Sequence, residues 1–491
     1  FRFADGVHPF QARTPMKTRH PLLAMRIVMA LALALPLTPL AARESPALGV
    51  VGVTEGQLTA DYWIARQTQA DQPIMDRQAI NAQNVRLMRE DDSMHDLGAT
   101  PDTLDGNQVR DWIENFAQLP QSTVYDEEGK PVDPARLQAI ADNRWLDGIA
   151  GSQATRFGMV VRRADLRAFP TTLRVFRSND DTDIDRFQES AVFPGTPLVV
   201  AHESGDHQWW FVITPRYAAW IRKAFVAIGS RDEVLGYAGK APYRIITGAD
   251  VHTVFTREQP ALSQLKLDMG VRVPVLADWP ADTPVNGQHP YSSHVIELPV
   301  RLPDGSLAFA PALLQKHADS SADYLALTPA NIIRQAFKFL GERYGWGHAY
   351  EGRDCSGFVA EVYRSMGVQM PRNTSDQGVS PAFAKRVFQE ADDSAERSRA
   401  ARESRVGDLV YIPGHVMLVI GSIDGDPWVI HDTTGISYHR ADGSMARVPL
   451  NAVSVTPLMP LQFDDTHTYA ERMRSIVHMR PAPATQTAGK P

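Results

Sequence analysis

Residues 351–367, EGRDCSGFVAEVYRSMG, hold the only cysteine in a chain of 491 residues. Phe358, Val359, Val362, Tyr363 and Met366 recur at three- and four-residue intervals, which predicts a helix from about Ser356 that stops at Gly367. Cys355 then stands at the helix N-terminus, where unpaired N–H groups and the positive end of the dipole favour a thiolate and lower the thiol below its ordinary ~8.5. Asp354, a candidate N-cap, works against that lowering. Gly357 leaves room for another part of the chain to approach the sulfur.

A sulfur nucleophile needs a base in hydrogen-bond reach and a third group to orient that base. Two histidines suit these roles: His415 opens the strand HVMLVIG, His431 closes WVIHDT, and the turn SIDGDP separates them. Adjacent antiparallel strands bring the two rings together, and a helix packed on the sheet presents Cys355 to them. The result has papain-like logic, with Cys355 as nucleophile, His415 as base and His431 as orienter. Two other readings stay open on the residues alone. The three side chains are also zinc-ligand types, although structural zinc sites favour closely spaced ligand pairs and no fourth ligand is evident; or the thiol is buried and inert. His202 and His207 in HESGDHQ read as solvated histidines of a hairpin turn, and Trp209, Trp210 and Trp220 as the core of a small barrel rather than a ligand platform. No metal and no cofactor is expected.

Taken together, YGWG (344–347), DCSGFV (354–359), MPRNTSDQG (370–378), GDLVYIPGHVMLVIG (407–421) and VIH (429–431) resemble the NlpC-type family of bacterial cell-wall cysteine peptidases, over roughly residues 329–435. The resemblance implies a papain-like peptidase domain that hydrolyses the bond between the γ-carboxyl of D-glutamate and a diamino acid in peptidoglycan stem peptides or muropeptides. It also implies that Cys355 attacks, His415 takes and returns the proton, His431 orients His415, and the Cys355 N–H belongs to the oxyanion hole. Asp354 and Ser356 would bind the free amino end of the stem peptide, Tyr344 would lie by the nucleophile, and Thr374 would join the substrate contacts. Tyr217, in PRYAAWI, would reach the cleft from an upstream SH3-like module and restrict cleavage to peptides with a free N-terminal L-Ala. Departures are His348, where relatives often have the second glycine of WGG, and Asn373, where an aspartate commonly follows the arginine. The alternatives are an N-acetylmuramoyl-L-alanine amidase or acyltransferase on the same scaffold, or a non-catalytic wall-binding protein.

Working outward, the composition is that of a globular protein, 43% apolar and 22% charged, with 35 prolines and 33 glycines that suit many turns and short strands. A net charge of −7 provides no basic field for a phosphate backbone, so nucleic acid is not expected as a partner. The fold class is α+β. Residues 1–42 read as upstream residues and a signal peptide, with Lys17, Arg19 and Arg26 before an apolar run too short to span a bilayer. The chain is therefore expected to be exported to the periplasm, with the medium as the other destination, and to keep no membrane span. Residues 43–150 show helical spacing; 151–233 and 234–312 read as two SH3-like β-barrels, the second with a hairpin turn at LPDGS. The peptidase domain is expected over 325–465, with 389–404 a solvated helix or loop, and 466–491 as a tail.

Overall fold

The computed structural model describes residues 48–481. The expected signal segment and the end of the expected tail lie outside these residues.

Three helices follow the first turns: α1 (Arg77–Glu90), α2 (Gly106–Phe116) and α3 (Pro134–Asp142). Each begins at an aspartate, Asp76, Asp105 or Asp133, whose side chain accepts a first-turn backbone N–H. The region is helical, as its spacing predicts, but the helices do not form a domain of their own. At 14, 11 and 9 residues they are too short to bury a core among themselves, and each serves a different neighbour. Ile80 of α1 joins the core that contains Phe358 and Val416, Val109 and Ile113 of α2 pack with Phe157 and Trp209, and Leu137 of α3 packs with Phe169 and Phe187.

Seven antiparallel strands come next: β1 (Arg156–Val160), β2 (Ala164–Arg167), β3 (Gln188–Val192), β4 (Pro197–Glu203), β5 (Trp209–Ile213), β6 (Ala218–Arg222) and β7 (Val226–Gly229). Their order in the sheet is β3-β2-β6-β5-β4-β1-β7. Trp209, Trp210 and Trp220 are buried in it, as core. His202 corrects the sequence reading: it lies on β4, buried, with Nε2 against the carbonyls of Arg144 and Trp145, while His207 alone sits in the exposed turn. The second β region is looser. β8 (Tyr243–Ile246) pairs with β9 (Arg272–Pro274) and with β12 (Ser320–Ser321), while β10 (Ser293–Arg301) and β11 (Leu307–Gln315) make a separate hairpin closed at Gly305. Since β12 lies past residue 312, the region extends beyond its expected end.

The third region sets helices α4 (Pro329–Phe337) and α5 (Cys355–Arg364) on one face of a six-stranded sheet; α6 (Thr374–Val379) and α7 (Ser394–Arg402) follow. Its strands are β13 (Ala384–Val387), β14 (Leu409–Ile412), β15 (His415–Ile423), β16 (Asp426–His439), β17 (Met445–Pro457) and β18 (Ser475–His478), ordered β13-β18-β14-β15-β16-β17. Residues 466–481 are thus not a tail, because β18 pairs on both sides inside the sheet. Phe358, Val359 and Val362 on α5 meet Val416, Leu418, Ile420 and Ile430 on the sheet, all buried. The opposite face carries Met417, Val419 and Val429 against Phe388, Ala400, Tyr469 and Met473. The charged segment around α7 is therefore only half solvated, since Ala400 and Ala401 are buried.

Buried charge ties the regions together. The Asp268 carboxylate accepts from Arg163, just before β2, and from Arg353 at 3.1 Å. Arg353, fully buried, also donates to Glu361 on α5 at 2.6 Å and to Glu342 at 2.7 Å. Both β regions are thereby anchored at the base of the cysteine helix.

Candidate active site

Cys355 is the first residue of α5, which Asp354 caps by accepting the Gly357 N–H at 2.8 Å. Cys355 is buried, and the backbone N–H of Val416, the residue after His415, works to lower its thiol. Packing of α5 across β15 and β16 makes this juxtaposition, and it places Cys355 at the first residues of the His415 strand. On β15 and β16 the rings meet as the sequence suggests: His415 Nε2 lies 2.8 Å from His431 Nδ1, and His431 Nε2 lies 3.1 Å from Thr456 Oγ1 on β17. The strand bearing His431 does not end there but continues to His439.

The electrostatics differ from the expectation at the sulfur. Burial, assisted by the Asp354 charge, pushes the Cys355 thiol up to about 12, and the Val416 N–H offsets only part of this. Desolvation outweighs the helix dipole. Burial also lowers His415 to about 4 and, with the His415 charge, takes His431 well below the ordinary imidazole range. The resting pair is accordingly a neutral thiol and a neutral imidazole. Asp432, next to His431, is buried, and neither of its carboxylate oxygens has a hydrogen-bond partner among the described residues. Burial raises it well above the usual carboxylate range. Tyr344 is buried too, and desolvation raises its hydroxyl well above the ordinary phenol range.

Around the nucleophile the expected substrate contacts take several forms. Asp354 is occupied by the protein itself. Oδ1 accepts from Gly357 N, Ser356 Oγ and Arg372 Nη1, and Oδ2 from Gly347 N at 3.0 Å and Arg372 Nη2 at 2.7 Å. Burial works to raise Asp354, but the Arg372 charge, with hydrogen bonds from Arg372 and the Gly357 N–H, outweighs it and holds the carboxyl at about 2. Ser356 shares Arg372 with it at 2.8 Å. Thr374 begins α6, two residues past Arg372. Tyr217 reaches the same place from the first β domain, where its hydroxyl donates to Glu189 Oε2 at 2.5 Å. Glu189 is half-buried, its other oxygen has no protein donor among the described residues, and desolvation raises it above the usual range.

Sequence reading missed Glu189, Thr456, Asp432 and the role of His348. The last had a signal, the departure from the glycine of WGG. His348 adopts φ +65°, a left-handed conformation that costs a non-glycine residue on the order of 1 kcal/mol. Its buried ring fills the space that Gly357 opens, since a Cβ on Gly357 would fall 2.3 Å from the ring. The close approach that Gly357 permits is therefore made by His348.

Residues 341–454 match the family model described as the NlpC/P60 family, and residues 174–222 match that of an SH3 domain of the SH3b1 type. The chain carries an NlpC/P60 domain behind an SH3-like domain. The SH3 match falls in the first β domain; the second expected barrel has no such match and is the split β region described above. The NlpC/P60 match contains Cys355, His415 and His431. Among solved structures, an NlpC/P60 endopeptidase from Photobacterium damselae subsp. piscicida superimposes with a TM-score of 0.68 at 16% identity, covering 85% of this chain and 96% of that one. This likeness shows a shared fold over most of both chains. NlpC2 from Trichomonas vaginalis matches at 13% identity and a TM-score of 0.22, over 62% of this chain and 97% of its own. The peptidoglycan hydrolase RipB from Mycobacterium tuberculosis matches at 23% identity and a TM-score of 0.16, over 27% of this chain and 62% of its own. No curated protein matches the sequence.

Proposed function

We propose that the protein is a cysteine peptidase of the bacterial cell wall that cleaves the γ-D-glutamyl–diamino acid bond of peptidoglycan stem peptides. The observation that carries this reading is the 2.8 Å His415–His431 pair at the start of the strand on which the Cys355 helix packs, with Cys355 and Val416 in one core. His415 spends Nε2 on His431, so Nδ1 is the nitrogen left for the sulfur. With Nε2–H donating to His431 Nδ1, and His431 Nε2–H donating to Thr456 Oγ1, His415 Nδ1 carries a lone pair.

In the acylation step Sγ bonds to the γ-carbonyl carbon of the glutamyl residue while its proton passes to His415 Nδ1. The Cys355 N–H, first in its helix and without an intrahelical acceptor, faces the developing oxyanion. His415 then gives the proton to the leaving amine of the diamino acid as the C–N bond breaks, which leaves a thioester. Water, deprotonated by His415, releases the glutamyl carboxylate and the thiol. At the amino end of the peptide, the unpaired Glu189 oxygen beside Tyr217 provides the counter-charge for an ammonium, while Asp354, already saturated by Arg372 and backbone N–H groups, supports that wall from behind. A free L-Ala amino terminus fits this acidic wall, and export to the periplasm suits such a substrate.

Digestion of purified stem tripeptide and of muropeptides, read by mass spectrometry, tests the reading. Cleavage after γ-D-Glu is expected; cleavage before L-Ala would instead make the protein an amidase, and no cleavage a binding protein.

A further inference from the structure

Four residues form a buried chain beneath the nucleophile. Glu361 Oε1 lies 3.1 Å from His348 Nε2, His348 Nδ1 lies 3.1 Å from Arg372 Nη2, and the same Nη2 lies 2.7 Å from Asp354 Oδ2. The partners fix the imidazole's state without appeal to hydrogen positions. A guanidinium can only donate, so Nδ1 must be the acceptor; Glu361, ionised by its bond to Arg353, can only accept, so Nε2 carries the proton. A single neutral tautomer satisfies both ends. Arg372 in turn holds two walls of the cleft at once. It reaches Ser190 Oγ at 2.6 Å and the Glu189 carbonyl at 3.5 Å on β3, and Asp354 and Ser356 at the start of α5. The His348 loop is itself clamped to β3, through Gln188 Nε2 to the Gly347 carbonyl at 2.9 Å and Trp346 Nε1 to the Gln188 carbonyl at 3.1 Å.

We infer that His348 is a positioning residue: by fixing the Arg372 guanidinium between β3 and the cap of α5, it sets the Glu189 carboxylate at the distance from Cys355 that selects substrates with a free amino terminus. The inference rests on the amine-reading role given to Glu189 above. The His348 side chain is buried, and its two ring nitrogens are both engaged by protein groups. Its strained backbone is maintained because the ring's two bonds over-determine it, and the glycine common at this place in relatives cannot supply either bond.

The test uses the full chain with Cys355→Ala and measures binding of L-Ala-γ-D-Glu-diamino acid tripeptide, with free and with acetylated amino terminus, by titration calorimetry. The parent is expected to prefer the free peptide by about tenfold or more. His348→Gly, which suits the left-handed backbone, should lose that preference by weakening the free peptide alone, and His348→Gln, whose amide can accept from Arg372 and donate to Glu361, should restore it. If the glycine variant is unfolded by circular dichroism, His348→Leu replaces it. A glycine variant that keeps the preference overturns the inference, as does equal weakening of both peptides in the glycine and glutamine variants. A parent without preference shows that the Glu189 reading itself has failed, and removes the inference with it.

Discussion

His415 Nε2 and His431 Nδ1 are 2.8 Å apart on neighbouring strands, and His431 is held from behind by Thr456. If His431 only orients the base, its loss should act on the chemical step. His431→Ala is expected to lower kcat by about 10²-fold with little change in KM, and His431→Asn, which can still accept from Nε2–H, should retain more. Steady-state kinetics on a stem tripeptide measures both; an increase confined to KM would refute the orienting role.

The buried neutral pair has a pH signature. His415 must be unprotonated to accept the thiol proton, and its folded-state value is lowered to about 4. Activity is therefore lost as pH falls through about 4 and is full at neutral pH, whereas an ordinary histidine would cost half the activity near ~6.5. Because the thiol is pushed up to about 12, iodoacetamide labelling of Cys355 should keep accelerating as pH rises above neutral. A labelling rate that is already flat around neutral pH would mean a preformed thiolate–imidazolium pair.

Arg353 joins Asp268, Glu342 and Glu361 in the interior. Replacing it with methionine keeps volume but leaves three carboxylates without their shared cation. Destabilisation of about 3–5 kcal/mol is expected. The denaturant midpoint of the peptidase-domain transition reads this directly, and a shift near zero would show that the network is not needed for assembly.

Gly357 and His348 occupy one space, with a Cβ at residue 357 placed 2.3 Å from the ring. Gly357→Ala alone should displace the loop at 346–351 and lower both stability and activity. In the background of His348→Gly the same change should be nearly silent for stability. Thermal denaturation of the four proteins of this cycle gives the coupling, expected at about 1 kcal/mol or more; additive losses would place the ring elsewhere.

Local signals carried much of this to the sequence. The α5 stripe, its Asp354 cap and the two strand-borne histidines are all short-range patterns, and their assembly follows because an apolar helix face must cover an apolar sheet face. What depends on tertiary burial was not legible. Helix position alone argues for an acidic thiol, but the desolvation at Cys355 comes from the sheet packed on its helix, which no neighbouring residue announces. Glu189 meets Tyr217 across 28 residues and Arg372 across 183, and Thr456 meets His431 only through strand register. β18 was taken for tail because a strand of four residues after a turn-rich stretch has little periodicity to show. The helices α1 to α3 were grouped by proximity in sequence, while their apolar faces belong to three separate cores.

The proposed reaction passes through a covalent glutamyl thioester on Cys355. Rapid acid quench of the enzyme with stem tripeptide, followed by intact-mass and peptide-level mass spectrometry, should find the L-Ala-γ-D-Glu acyl group on Cys355, with neither adduct nor turnover in Cys355→Ala. Continued turnover by that variant, or activity abolished by a chelator, would contradict it.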